Sequence, residues 1–238
     1  MDAFSYHNIF DTKGIEYLVV IGFLLLIIPF WIVLNKPIKL KEKIGSLGAL
    51  LIDRLKIPRG VFFSKNHTWT YMKSSGDAKI GLDDLLLHIT GPVEVRILMS
   101  PGQKIRKGEL FANITRDGKQ LGIKSPISGE IMSVNLSLVE NPGILNNDPY
   151  GEGWFFEVRP EKWVEETSCC YLADAALEWT KREMARFRDF IALALQKYAP
   201  ETAMVVLQEG GELSDHPLSE MPGEIWRDFQ KSFMDVQD

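Results

Sequence analysis

The chain has 238 residues, a formal net charge of −5 and ordinary apolar and charged fractions, enough to bury one sizeable core with accessory elements. Its basic residues are scattered, which argues against nucleic acid as a partner, because phosphate binding needs a concentrated cationic face. The only two cysteines, Cys169 and Cys170, are adjacent, a spacing that rarely gives an unstrained disulfide. No distant pair staples the fold, and a reducing compartment is compatible with this.

From Tyr17 to Leu34 the sequence YLVVIGFLLLIIPFWIVL carries no charge and is long enough to cross a hydrocarbon core of about 30 Å as a helix. Residues 15–35 are therefore expected to form a single transmembrane helix after a short extracytoplasmic N-terminus, 1–14. A removable signal peptide would place basic residues before the apolar run, whereas Asp2, Asp11 and Glu16 precede it. Tyr17 and Trp31 sit towards its ends, as interfacial aromatics do. Lys13 alone precedes the run, while Lys36, Lys39, Lys41 and Lys43 follow it. Basic flanks stay inside, so the expectation is a single-pass protein of a bacterial inner membrane with its large domain in the cytoplasm.

Residues 36–60 form a linker in which Ile44, Leu47, Leu51 and Leu55 recur at helical spacing up to Ile57, with Pro58 as the stop. Such a segment packs on the domain as a linker helix or lies on the membrane surface as an amphipathic one. From Val61 onward, short runs rich in Val, Ile and Phe alternate with Gly and Pro, the pattern of a small β sandwich or barrel. Strands are expected at Ala78 to Gly81, Val93 to Leu98, Leu110 to Thr115, Leu121 to Lys124, Gly129 to Val134 and Trp154 to Val158. One short helix is expected from Asp83 to Ile89, capped by Asp83 or Asp84 and burying Leu85, Leu86 and Leu87.

The string Asn147-Asp148-Pro149-Tyr150-Gly151-Glu152-Gly153-Trp154 resembles the N-x-x-PYGxGW ending of glycine cleavage system H-proteins. Further matches fall in that family's order. Lys65-Asn66-His67-Thr68-Trp69 is similar to KEHEW, and Ile80-Gly81-Leu82-Asp83-Asp84 to VGITDYA. Gly102, Ile105, Gly108 and Glu109 are similar to GxxVxxGE, and Ser125 to Ile131 to SPVSGEV. The resemblance spans residues 61–163 and implies a mainly β fold, a flattened lipoyl-domain sandwich whose carrier lysine sits at a hairpin tip. With the flanks, the expected architecture is this sandwich with an N-terminal transmembrane helix and a C-terminal helical extension, 164–238.

Counting back from Pro126 to the place the resemblance gives the acceptor lysine lands on Gly118, which has no amine. The Asp117-Gly118 pair is a favoured type I′ hairpin turn, so the hairpin is retained without its acceptor. Lys119 is the alternative acceptor, one position on, but a slip of one residue in a strand points a side chain to the opposite face. Lys124 lies well inside a strand. No lipoate is expected, Lys119 being its one possible site. In the motif, Asp148, Pro149, Tyr150, Gly151, Gly153 and Trp154 read as a shaped turn with an aromatic packed inward.

Cys169 and Cys170 read as packed thiols, since His7, His67, His88 and His216 show no metal-ligand spacing with them. No nucleophile motif, phosphate loop or zinc motif is present, so no catalytic residue is assigned and the chain is read as non-enzymatic. In the extension, Leu172 to Tyr198 is an expected amphipathic helix with Leu177, Met184, Phe187, Ile191 and Leu195 on one face. Ala203 to Leu207 is an expected strand, Gly210-Gly211 a turn and Pro222 to Phe233 a final helix. The extension either packs on the domain or a second copy of it, or offers a docking surface.

The leading expectation is a membrane-tethered H-protein-like module that binds or organises unidentified protein partners. The rival is a lipoyl carrier of a glycine cleavage or related pathway using Lys119. A periplasmic transporter adaptor is disfavoured, because the short Asp117-Gly118 turn leaves no room for that class's helical insert.

Overall fold

The computed structural model describes residues 9–34, 55–198 and 216–235. The chain divides into two compact units, Met1–Glu42 and Lys43–Asp238. In the first, helix α1 runs Ile9–Leu34. From Tyr17 to Trp31 every side chain but Gly22 is exposed, and nearly all are apolar, so the helix presents hydrocarbon on all sides. Among the described residues no helix is long and apolar enough to cross a membrane.

The second unit is built on two antiparallel sheets. Strands β1 (Phe62–Phe63), β2 (Thr68–Met72), β3 (Ala78–Leu82), β5 (Lys104–Ile105), β8 (Gly129–Val134) and β9 (Trp154–Pro160) form one, in the order β1-β2-β3-β9-β8-β5. Strands β4 (Glu94–Ile97), β6 (Leu110–Arg116) and β7 (Lys119–Lys124) form the other, in the order β4-β6-β7. This is the expected flattened β sandwich. Alternation sets the inward faces: Leu121 and Ile123 of β7 are fully buried while their neighbours are not, as a half-buried strand requires. Between the sheets Phe111 lies edge-on to Phe155 and Phe156, with ring centroids 5.7 and 5.1 Å apart. Burial of each such side chain contributes about 1.5–3 kcal/mol. Gly81 pairs with Trp69, and a Cβ there would come within 2.5 Å of the indole, so only glycine lets β3 pass that ring.

Helix α2 (Asp84–Thr90) follows β3 at the expected place, and of the two candidate caps Asp83 is the one used, its carboxylate accepting from the Leu86 N–H at 2.7 Å. Two four-residue helices, α3 (Ser137–Glu140) and α4 (Ile144–Asn147), lead to β9, and α5 (Trp163–Thr167) follows it. The long helix α6 (Asp174–Tyr198) buries Met184, Phe187, Ile191 and Leu195 along one stripe, as its period predicts, while Leu177 of the same expected face is only partly buried. Its Trp179 joins Val61, Phe63 and Trp69 in an apolar cluster and stacks on Tyr171 at 5.2 Å. The last described elements are α7 (Gly223–Phe229) and a π-helical turn, Gln230–Met234, so the expected final helix changes its winding at Gln230.

Several expectations are corrected or lie elsewhere. The linker helix expected over Ile44–Ile57 lies mostly outside the described residues, and Leu55 to Ile57 are not helical: the Lys56 N–H is drawn to the Asp84 carboxylate at 2.7 Å instead. Cys169 is exposed and Cys170 only partly buried, so neither is a packed core thiol. The expected strand at Ala203 to Leu207 and the Gly210-Gly211 turn lie outside the described residues.

Candidate functional site

The candidate site is the β6–β7 hairpin with the C-terminal segment laid on it. Arg116 pairs with Lys119 across the turn, and Asp117 and Gly118 take positive φ values of 49° and 75°, the type I′ signature. A Cβ on Gly118 would meet nothing within 4 Å, so the tip is open to solvent and could carry a side chain. The tip has the room an acceptor needs but lacks the amine.

Lys119 does have an amine, and it is engaged. Its Nζ donates to the carbonyl oxygens of Ser219 at 2.5 Å and Met221 at 3.3 Å, and lies 5.4 Å from the centroid of the Trp226 ring. Burial under this segment holds its pKa below the ordinary 10.5, Asp117 opposing and Arg116 assisting. An amine held by two carbonyls against an indole is not presented for acylation.

The covering segment is tied down along the hairpin. Gln230 pairs with the backbone of Gly122 in β7, accepting from its N–H at 2.8 Å and donating to its carbonyl at 3.3 Å. Lys124 pairs with Asp235 at 2.6 Å. On the other side the Leu218 N–H donates to the Ile89 carbonyl at 3.0 Å, extending from the end of α2. The indole N–H of Trp226 donates to the Leu218 carbonyl at 2.8 Å, and Ile225, Trp226, Phe229 and Phe233 are buried. The extension therefore packs on its own domain, at the hairpin.

A buried polar knot secures the same segment from beneath. His67 is fully buried in a left-handed conformation, φ 57°, with Nδ1 2.8 Å from Asp83 and Nε2 3.8 Å from Glu183 of α6. Its ring is flanked by Trp179 and Phe233. Glu183 pairs with Arg186 at 3.2 Å, and Arg186 lies over the Phe233 ring at 4.0 Å and donates to the Ser232 carbonyl. Sequence reasoning placed His67 only within a matched string. Nothing local signals Glu183, which is separated from it by most of the domain.

The motif residues build a turn. The Asp148 carboxylate accepts from the N–H groups of Gly151 and Glu152 at 3.1 and 3.0 Å, and its carbonyl from Gly153 at 2.8 Å. A Cβ on Gly151 would fall 2.1 Å from that carboxylate, and one on Gly153 2.8 Å from Pro149. The Tyr150 hydroxyl accepts from the Asp84 N–H at 3.0 Å, closing the start of α2; burial, with Asp83 nearby, pushes its phenol far above its ordinary range. Trp154 is partly buried, with the Lys79 ammonium 5.2 Å from its ring. Among the described residues no group of His, Cys, Asp and Glu is placed to hold a metal ion.

The family model for the glycine cleavage H-protein matches residues 61–183. The glycine cleavage system H protein of Thermus thermophilus is 34% identical over 106 residues, covering 44% of this chain and 82% of that protein. A probable glycine cleavage system H protein of Thermococcus kodakarensis is 27% identical over 130 residues, covering 55% of this chain and 96% of that one. The crystal structure of a glycine cleavage system H protein from Mycobacterium marinum aligns with a TM-score of 0.41 and 24% identity over 44% of this chain and 87% of that one. With the matched residues spanning the sandwich, its hairpin and the Asp148–Trp154 turn, the chain belongs to the glycine cleavage H-protein family.

Proposed function

We propose that this chain is a membrane-tethered H-protein-like module, itself non-enzymatic, that binds or organises protein partners after losing the family's carrier chemistry. The observation that carries the reading is the hairpin: glycine stands at the open tip, and the one neighbouring amine is bonded to Ser219 and Met221. A carrier arm must swing, and an amine pinned under Trp226 does not. Membrane attachment is supported by α1, whose apolar residues face outward all round.

The test is the intact mass of the full-length protein purified from its native host grown with lipoate. An unmodified mass is the expected result. A gain of one lipoyl group, mapped to Lys119 and lost in Lys119→Ala, would replace this reading with a lipoyl carrier of a glycine cleavage or related pathway.

A further inference from the structure

Among the described side chains of α6, Leu193 is the large apolar one left exposed, at 67%. It lines a groove of about 210 Å³ between α6 and the π-helical turn, beside half-buried Phe190 and buried Ala194. Lys197, Asp228 and Lys231 line the same groove. Lys197 pairs with Asp228 at 3.1 Å, the Tyr198 hydroxyl donates to that carboxylate at 2.8 Å, and Lys231 acts on it through space. One carboxylate thus serves two lysines. One turn before Leu193, Asp189 is exposed and makes no ion pair among the described residues. Asp189, Leu193 and Lys197 fall four residues apart, on one stripe of the helix.

We propose that this stripe is a self-association face, on which two copies of the chain meet α6 against α6 about a two-fold axis at Leu193. The stripe is complementary to its own antiparallel image. Asp189 and Lys197 lie equally far from Leu193 on either side, so the two-fold sets Asp189 of each helix opposite Lys197 of the other. A parallel pairing would instead set Asp189 against Asp189 and Lys197 against Lys197. In the antiparallel pair each groove receives a second carboxylate for the two lysines that Asp228 serves alone, and each Leu193 is covered by the other copy. Two turns from each helix make a small contact, so the association is weak in dilute solution and forms where copies are held close together. In that respect it rests on the proposed membrane tether.

The experiment is disulfide capture of the full chain in its host cells, with Leu193→Cys in a Cys169→Ser, Cys170→Ser background, oxidised briefly with copper phenanthroline before fractionation. The expected product is a dimer joined at position 193 and found with the membranes. Leu136→Cys in the same background, at a residue 64% exposed, reports random collision and should give little dimer. Adding Asp189→Lys to Leu193→Cys should lower the yield about 5-fold, because two exposed ion pairs become two like-charge contacts, whereas Asp189→Glu should preserve it. Equal capture at 136 and 193, capture at 193 indifferent to Asp189→Lys, or a disulfide from 193 to a different protein would each overturn the face. A membrane-bound chain without the dimer removes the face and keeps the tether. A dimer captured at 193 in the soluble fraction keeps the face and removes the tether.

Discussion

Single side chains decide what the hairpin and the motif turn can do. Tyr150 matters through one oxygen, the acceptor for the Asp84 N–H at the head of α2. Tyr150→Phe keeps the ring and leaves that donor unpaired, so chemical denaturation should show a loss of about 1–3 kcal/mol. Lys119 offers a pH readout. Its folded-state pKa lies below 10.5, with burial as the main cause. The folded chain therefore bears a cost for the charged amine at neutral pH, and gains stability as pH rises through the folded value towards the unfolded one. Nitrogen-detected NMR of the Lys119 ammonium should show it titrating below the chain's exposed lysines, and Trp226→Ala should move it back up.

At the scale of elements, the β6–β7 hairpin was legible because its turn is local chemistry: an Asp-Gly pair between two alternating runs specifies both positive φ values. Helix α2 was legible for the same reason, through its cap. Strands β1 and β5, two residues each, are too short to show a period. The vacancy at Gly118 was legible, but the engagement of Lys119 was not, because it joins residues 100 positions apart. Gly118→Lys tests the vacancy. The positive φ should cost about 1–2 kcal/mol, and a lipoate–protein ligase should modify the variant at residue 118 while leaving the parent chain unmodified. Gln230→Ala tests the covering segment: the Gly122 amide should exchange with deuterium markedly faster, with a loss of about 1 kcal/mol.

For the whole molecule, the sequence expectation of a single span rests on an uninterrupted apolar run, and α1 is helical through it. On the proposed tether, the chain should stay with native membranes through alkaline carbonate extraction. Protease added to right-side-out spheroplasts should spare the domain, and protease added to inverted vesicles should cleave it; recovery in the carbonate supernatant would remove the tether. The aromatic seam of Phe187, Phe229 and Phe233, with the knot at His67, joins the extension to the sandwich. The sequence showed the apolar stripes of these helices without showing which face they would meet.

The pairing of Gln230 with Gly122 bears on crowding. Strand β7 ends its sheet, and a bare strand edge is a template on which another copy can add by backbone pairing. Tethering to a bilayer would confine copies to a plane at high surface density, where such templating is most favoured. Gln230 fills both the donor and the acceptor of Gly122 on that edge, so a second copy adding there would first have to displace it.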